Sequence, residues 1–122
     1  MLKLLSYLCK REGMTTEGFV DYYENHHVPL ILSLAPAPAV YTRHYLQRGD
    51  SLNIGEESID FDVVTEQQWT RRIDFQQWME AVTAGTDGER VAEDEARFLD
   101  RSRTRACVVA DYVTKSAGHD DS

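Results

Sequence analysis

Reactive side chains are most concentrated in residues 22–29, whose sequence is YYENHHVP. Two phenols and two imidazoles fall there within about two turns of a predicted helix. Histidine titrates near neutral pH and can act as acid or base, and a tyrosine hydroxyl can hydrogen-bond a carbonyl or phenolate oxygen. The segment therefore indicates acid–base chemistry. The structural alternative is that Tyr23 and His26 pack on a sheet while His27 binds carbonyl groups at the helix end.

Other candidate residues are spread along the chain. Asp62 stands near the start of a predicted apolar strand, where a carboxylate must be paired, hydrogen-bonded or solvated. It could orient a histidine or cap a loop. His44, on another predicted strand, is either a ligand-binding residue or an ordinary sheet residue. Trp69 and Phe98 are expected in the core or in a pocket wall.

A bound metal or cofactor finds little support in the sequence. His26, His44 and Asp62 could form a set of two histidines and one carboxylate. However, no HxH, HxxxH or HExxH spacing occurs, and adjacent histidines on a helix point about 100° apart. Phosphate-binding glycine loops, nucleophile elbows and dinucleotide fingerprints are also absent from the sequence. We therefore expect no metal site and no cofactor.

Length and charge restrict the class of protein. At 122 residues and 14.0 kDa the chain has room for one domain. A net charge of −8 and a pI near 4.9 argue against a nucleic-acid partner, because phosphate binding needs a basic surface. The longest apolar stretch, residues 28–40, is interrupted by prolines and is too short to span a membrane. A strand pattern begins at the first residues, so the expected location is the cytoplasm.

Apolar periodicity predicts the first half of the fold. A helix should begin after Thr15 or Thr16 and end or kink near His27, because Pro29 disfavours helical geometry at the residue before it. The predicted strands of the whole chain are residues 1–8, 40–47, 59–69 and 105–113.

The second half predicts one clear helix, with apolar residues spaced from Phe75 to Val82, then a loop over residues 83–90 and a shorter helix over 91–99. The order βαββαβ is the ferredoxin-like arrangement. The predicted fold is α+β, a four-stranded antiparallel sheet with its helices on one face. The other face would be partly apolar, so a homodimer that covers it is expected. Residues 1–114 would form the domain and residues 115–122 a polar tail.

The two cysteines allow a test of this topology. The first and last strands should be antiparallel neighbours, which would bring Cys9 near Cys107. In the cytoplasm both are expected to be thiols.

Several segments resemble the EthD-domain family. They are residues 4–8 (LLSYL), 13–15 (GMT), 22–30 (YYENHHVPL), 61–66 (FDVVTE), 94–100 (DEARFLD) and 108–109 (VV), together with Phe19. The resemblance implies the dimeric α/β-barrel superfamily, in which two ferredoxin-like sheets close face to face. It also implies small hydrophobic organic substrates, including polyketide-type aromatic compounds. The histidine of the family's His-x-Pro-Leu element corresponds to His27, whereas a helical wheel anchored on Phe19 favours His26.

The leading hypothesis is a cofactor-independent enzyme that acts on a small hydrophobic ketone or phenolic compound as oxygenase, dehydratase, decarboxylase or cyclase. His27 would move a proton next to a carbonyl, Tyr23 or Tyr22 would hold the oxyanion, and Asp62 would orient the imidazole or act as a second base. The residues expected around the ligand are Tyr22, His26, His44, Trp69 and Phe98. The alternatives are a small-molecule carrier or helper protein without turnover, and a haem-binding member of the superfamily.

Overall fold

The computed structural model describes residues 1–116 and contains a four-stranded antiparallel sheet with helices on one face. The strands are β1 (Leu2–Leu8), β2 (Val40–Tyr45), β3 (Val63–Trp69) and β4 (Arg105–Val109), in the spatial order β2-β3-β1-β4. The helices are α1 (Thr16–Tyr22), α2 (Val28–Leu34), α3 (Arg72–Thr83) and α4 (Gly85–Ala96). The predicted ferredoxin-like α+β fold is confirmed. Residues 117–122 of the predicted tail lie outside the described residues.

The two faces of the sheet differ in character. Along β3, Val63, Thr65, Gln67 and Trp69 are buried while the residues between them are half-buried. Side chains alternate across a strand, so these four point to the helices. The opposite face combines apolar side chains with an ion pair between Lys3 and Glu66, whose charged atoms lie 3.5 Å apart. This face is therefore more polar than the sequence suggested.

The first helical region, residues 16–34, is continuous but changes type in the middle. A π turn, Tyr23–His27, separates α1 from α2, and Val28 N–H donates to the Tyr23 carbonyl five residues earlier. Pro29 has no N–H, and in an α-helix its ring would collide with the carbonyl of Asn25. We attribute the wider turn to this proline. The predicted end near His27 is thus a change of helix type, because the chain continues as α2.

Helices α3 and α4 are joined through Ala84 and contact each other. The predicted helix around residues 75–82 is confirmed, but the predicted loop over residues 83–90 is wrong, because α4 already begins at Gly85. A Cβ atom on Gly88 would lie 2.3 Å from the Thr83 carbonyl oxygen. Gly88 resembled a loop residue in the sequence, but it is required here because the Thr83 carbonyl that ends α3 lies so close.

Strand β3 begins later than the predicted residue 59. Asp62 immediately precedes β3 and contacts the end of β1 and the turn that follows it. Its N–H donates to the Leu8 carbonyl at 2.9 Å, and its carboxylate accepts from Lys10 N–H at 2.7 Å. The half-buried carboxylate is hydrogen-bonded by the turn, which was one of the alternatives for Asp62.

Strands β1 and β4 are antiparallel neighbours, yet the two cysteines are apart. Cys107 pairs with Leu5, and Cys9 lies beyond the last residue of β1. At a strand rise of about 3.3 Å per residue, four residues correspond to roughly 13 Å. The predicted proximity is wrong because Cys107 lies in the middle of β4, and the register rather than the strand order explains the separation. Both thiols are free.

The buried apolar residues form two clusters between the sheet and the helices. One contains Leu8, Phe19, Tyr23, Val28, Val63, Phe98 and Leu99, and the other contains Ile31, Ala35, Val82 and Val91. Among the described helices, none is long and apolar enough to cross a membrane.

Candidate functional site

A cavity of about 360 Å³ lies between the helices and the sheet, where the two apolar clusters meet. Its apolar wall includes Leu4, Leu8, Ile31, Val82, Val91 and Leu99. Its polar groups come from Ser6, Tyr23, His27, Tyr41, Thr65, Gln67, Glu95 and Arg101, among others. Pockets of roughly 300–1,000 Å³ with a mainly apolar wall and few polar groups are typical of small-molecule sites.

His27 is buried at the end of the π turn, 6% exposed, and lines this cavity. Its Nδ1 lies 2.8 Å from Asp94 Oδ2. Because a carboxylate only accepts hydrogen bonds, Nδ1 carries the hydrogen, and the lone pair of the neutral imidazole is on Nε2. Nε2 has no hydrogen-bond partner within residues 1–116. Asp94 therefore fixes the tautomer of His27, with Nε2 as the nitrogen that can accept a hydrogen bond.

Asp94, on α4, is held by two side chains of the first helical region. Its side chain is 13% exposed, and besides His27 it accepts a hydrogen bond from Tyr22 Oη at 2.6 Å. Both carboxylate oxygens are thus engaged. The packing of α4 against the π turn fixes the imidazole in one orientation.

Tyr23 supplies a hydroxyl group beside the histidine. Its ring meets the His27 ring edge-on, with centroids 5.5 Å apart, and its Oη lies 2.6 Å from Thr65 Oγ1. Burial raises the pKa of Tyr23 well above the ordinary value, and it raises the pKa of the neighbouring Tyr41 to about 12. Both phenols are consequently neutral near pH 7 and can donate hydrogen bonds.

An ion pair between Glu95 and Arg101 forms a charged part of the cavity wall. Arg101 Nε lies 3.3 Å from Glu95 Oε1, and both side chains are partly exposed. The cavity therefore has a polar rim and a buried interior.

The EthD domain model matches residues 11–102. The chain belongs to the EthD family. An EthD family protein from Bacillus halodurans has a similar structure, with 17% identity, a TM-score of 0.60 and coverage of 92% of this chain and 100% of that chain. An uncharacterised NIPSNAP domain protein from Burkholderia xenovorans has 14% identity, a TM-score of 0.61 and coverage of 96% and 100%.

A dimeric ferredoxin-like protein of unknown function from Thermobifida fusca is also similar, with 14% identity, a TM-score of 0.53 and coverage of 89% of each chain. At these identities the similarity shows a shared fold. Comparison with curated protein sequences finds no match.

None of the five predicted ligand-binding residues of this EthD protein lines the cavity. Two of them, Tyr22 and His26, lie on the outer side of the first helical region. His26 is exposed and stacks on Tyr22, with ring centroids 4.8 Å apart. Both line an outer groove together with Leu30, Arg90, Glu93, Asp94 and Arg97. The helical wheel fails because the π turn rotates the chain less per residue than an α-helix does, which turns His27 inward and His26 outward.

His44 and Asp62 are also distant from this arrangement. His44 is exposed on the sheet face opposite the helices, with Nε2 3.1 Å from Glu66 Oε1. Asp62 contacts Lys10 N–H and lies 3.9 Å from Arg48. The carboxylate that contacts His27 is therefore that of Asp94 and not, as predicted, that of Asp62. In the part of the chain that the structure describes, no three His, Cys, Asp or Glu side chains are grouped to hold a metal ion.

The predicted aromatic wall is partly in the core. Phe98 is fully buried and packs against the His27 ring, with centroids 4.9 Å apart, so it supports the histidine from behind. Trp69 is buried against Trp78, with centroids 5.5 Å apart. Trp78 rather than Trp69 lines the cavity.

Sequence reasoning assigned no role to Asp94, Thr65 or Gln67. The only signal for Asp94 was its place in the segment 94–100 that resembles the family. Thr65 and Gln67 alternate with half-buried residues on β3, and this alternation alone does not distinguish cavity residues from core residues.

Proposed function

We propose that this EthD protein is a cofactor-independent enzyme that moves a proton next to a carbonyl or phenolic oxygen of a small hydrophobic compound. The observation that carries the proposal is the buried His27–Asp94 pair, which leaves Nε2 as a base on an otherwise mainly apolar cavity. A neutral imidazole with an aligned carboxylate is a common arrangement for a general base.

The proposed reaction begins when Nε2 of His27 removes a proton from the carbon beside the carbonyl. The electron pair of that C–H bond moves onto the carbonyl oxygen, which gives an enolate and an imidazolium ion. Asp94 stabilises the imidazolium charge through Nδ1–H. Tyr23 donates a hydrogen bond to the enolate oxygen. Thr65 in turn donates to Tyr23, since either hydroxyl can be the donor in the 2.6 Å contact between Tyr23 Oη and Thr65 Oγ1.

The enolate has several outcomes, and a phenolate forms likewise when Nε2 removes the proton of a phenol O–H. With a β-hydroxyl group the enolate expels hydroxide, which takes the proton from the imidazolium and leaves as water. It can also attack a second carbonyl within the same molecule, or react with dioxygen as co-substrate to form a peroxide. In a decarboxylase the enolate would form differently: His27 takes the proton of a β-keto acid, CO₂ leaves as the C–C bond breaks, and the imidazolium returns the proton to the enolate carbon. Oxygenase, dehydratase, decarboxylase and cyclase activities therefore share an enolate or phenolate intermediate. The apolar wall favours polyketide-like or aromatic compounds over hydrophilic metabolites.

Hydrogen exchange at an enolisable ketone tests the proposal without knowledge of the natural substrate. The protein is incubated with 2-tetralone in deuterium oxide, and deuterium incorporation beside the carbonyl is followed by NMR. We expect faster exchange than an equal concentration of free imidazole produces, because the cavity positions the base against the carbon acid. Binding of 2-tetralone with exchange no faster than in the imidazole solution would instead identify a carrier or helper protein.

We also infer that the protein forms a homodimer through the sheet face opposite the helices. Half-buried Leu5 and Val64 lie on this face, and the similar protein from Thermobifida fusca is described as dimeric. A stable interface would bury at least roughly 1,200 Å² in total.

Leu5→Lys is expected to convert the dimer to a monomer. Leu5 lies directly opposite Glu66, so the new lysine can form a cross-strand charge pair within one chain but would bury a charge in the interface. Light scattering at micromolar concentration measures the mass of each variant. The matched control is Ile73→Lys, because Ile73 is 44% exposed on α3 and far from this face. A monomeric wild type, or a dimeric Leu5→Lys protein, would exclude this interface.

A further inference from the structure

Gln67 is a buried polar side chain without a protein partner. It is 5% exposed, lines the cavity from β3, and has no side-chain hydrogen bond within residues 1–116. Its neighbour Gln68 points to the opposite face and donates from Nε2 to Glu66 at 2.6 Å. The unpaired amide is therefore specific to the side of the strand that faces the cavity.

The unpaired amide of Gln67 is open to the cavity. Unlike the Nε1 atoms of Trp69 and Trp78, which are buried without a partner among the described residues, its amide atoms can be reached from the cavity and are available to hydrogen-bond a ligand. The residues around Gln67 are mainly apolar, with Leu4 directly opposite on β1 and Ile31 across the cavity wall. A ligand with a polar atom in this position would give the amide a hydrogen bond that the apolar wall does not provide.

The position of Gln67 separates it from the proton-transfer groups. Thr65, which contacts Tyr23, lies on the same face two residues earlier. Two residues along a strand span about 6.5 Å. One small polar group cannot contact both sites, but a planar ring with oxygen atoms at opposite ends can.

We propose that Gln67 is a specificity-determining residue that binds a second oxygen function of the substrate. The substrate class is then an aromatic or partly reduced ring compound with two separated oxygen substituents, one beside His27 and one beside Gln67. This inference rests on the proposed function only in taking the cavity as the substrate site.

Two matched phenols test the assignment. Calorimetry measures the dissociation constants of 2-naphthol and 2,6-dihydroxynaphthalene, which differ by one hydroxyl group. Wild-type protein should bind the diol about tenfold more tightly, as expected for one hydrogen bond to a buried amide that is otherwise unpaired. In Gln67→Leu the preference should fall to about twofold, the statistical factor for a ligand with two identical ends.

The matched control is Gln68→Leu, the same substitution on the same strand but on the opposite face. It should keep the tenfold preference. Equal affinities of the wild type for the two phenols, or an unchanged preference in Gln67→Leu, would overturn the assignment. Because the readout is a ratio of dissociation constants, it is independent of 2-tetralone turnover, so this inference and the proposed activity fail separately.

Discussion

Replacing His27 with alanine is expected to lower the rate constant for proton exchange in 2-tetralone by roughly 10²- to 10⁴-fold, the usual contribution of a general base. The side chain that carries the lone pair is lost, while the apolar wall that binds the ketone remains. The expected result is a fall in kcat with little change in the dissociation constant of 2-naphthol. Exchange followed by NMR and binding followed by calorimetry measure the two quantities on the same preparation.

The adjacent histidine provides the control. His26→Ala removes an imidazole from the outer groove, where it stacks on Tyr22, and leaves the cavity unchanged. Its exchange rate should stay close to that of the wild type. A loss of exchange in His26→Ala with retention in His27→Ala would reverse the assignment. Equal losses in both variants would indicate that the helix rather than the base is affected.

Asp94→Asn is expected to lower the same rate constant by at least about 10²-fold. The asparagine amide can donate to Nδ1, which would move the imidazole hydrogen to Nε2 and remove the base from the cavity. In the serine proteases, where the same substitution fixes the wrong tautomer, the loss is about 10⁴-fold. Asp94 acts through His27, so kcat should fall while the affinity for 2-naphthol is retained.

A conservative variant separates this effect from a loss of packing. Tyr22→Phe removes the other hydrogen bond to Asp94, 2.6 Å long, but keeps the carboxylate beside His27. It should lower the free energy of unfolding by about 1 kcal/mol and leave the exchange rate nearly unchanged. If Tyr22→Phe and Asp94→Asn lowered kcat equally, the carboxylate would be a structural group and the tautomer argument would be wrong.

The strand order and most elements could be predicted from the sequence, because strand and helix periodicities are local properties. Loop signals were less reliable. Gly88 resembles a loop residue, yet it lies within α4, where the nearby Thr83 carbonyl leaves no room for a Cβ atom. Contacts of this kind between elements cannot be read from composition. The register that separates Cys9 from Cys107 is another property of this kind.

The candidate site was only partly predictable. His27 followed from the family resemblance, while the helical wheel favoured His26 because it assumed an uninterrupted α-helix. The pairing with Asp94 joins residues 67 positions apart, and a single sequence contains no signal for such a contact. Asp62 was a reasonable alternative because it is a carboxylate beside an apolar strand. The turn after β1 satisfies it instead.

The π turn between α1 and α2 adds one residue between Thr15 and His27. In an uninterrupted α-helix, the inward position that His27 occupies would be reached one residue earlier. A chain with one residue fewer in this turn would keep its histidine on the cavity side. Its position relative to the following proline would also be unchanged. Equivalent histidines among homologues should therefore be counted backwards from that proline, since an ungapped alignment from the helix start pairs residues of opposite orientation.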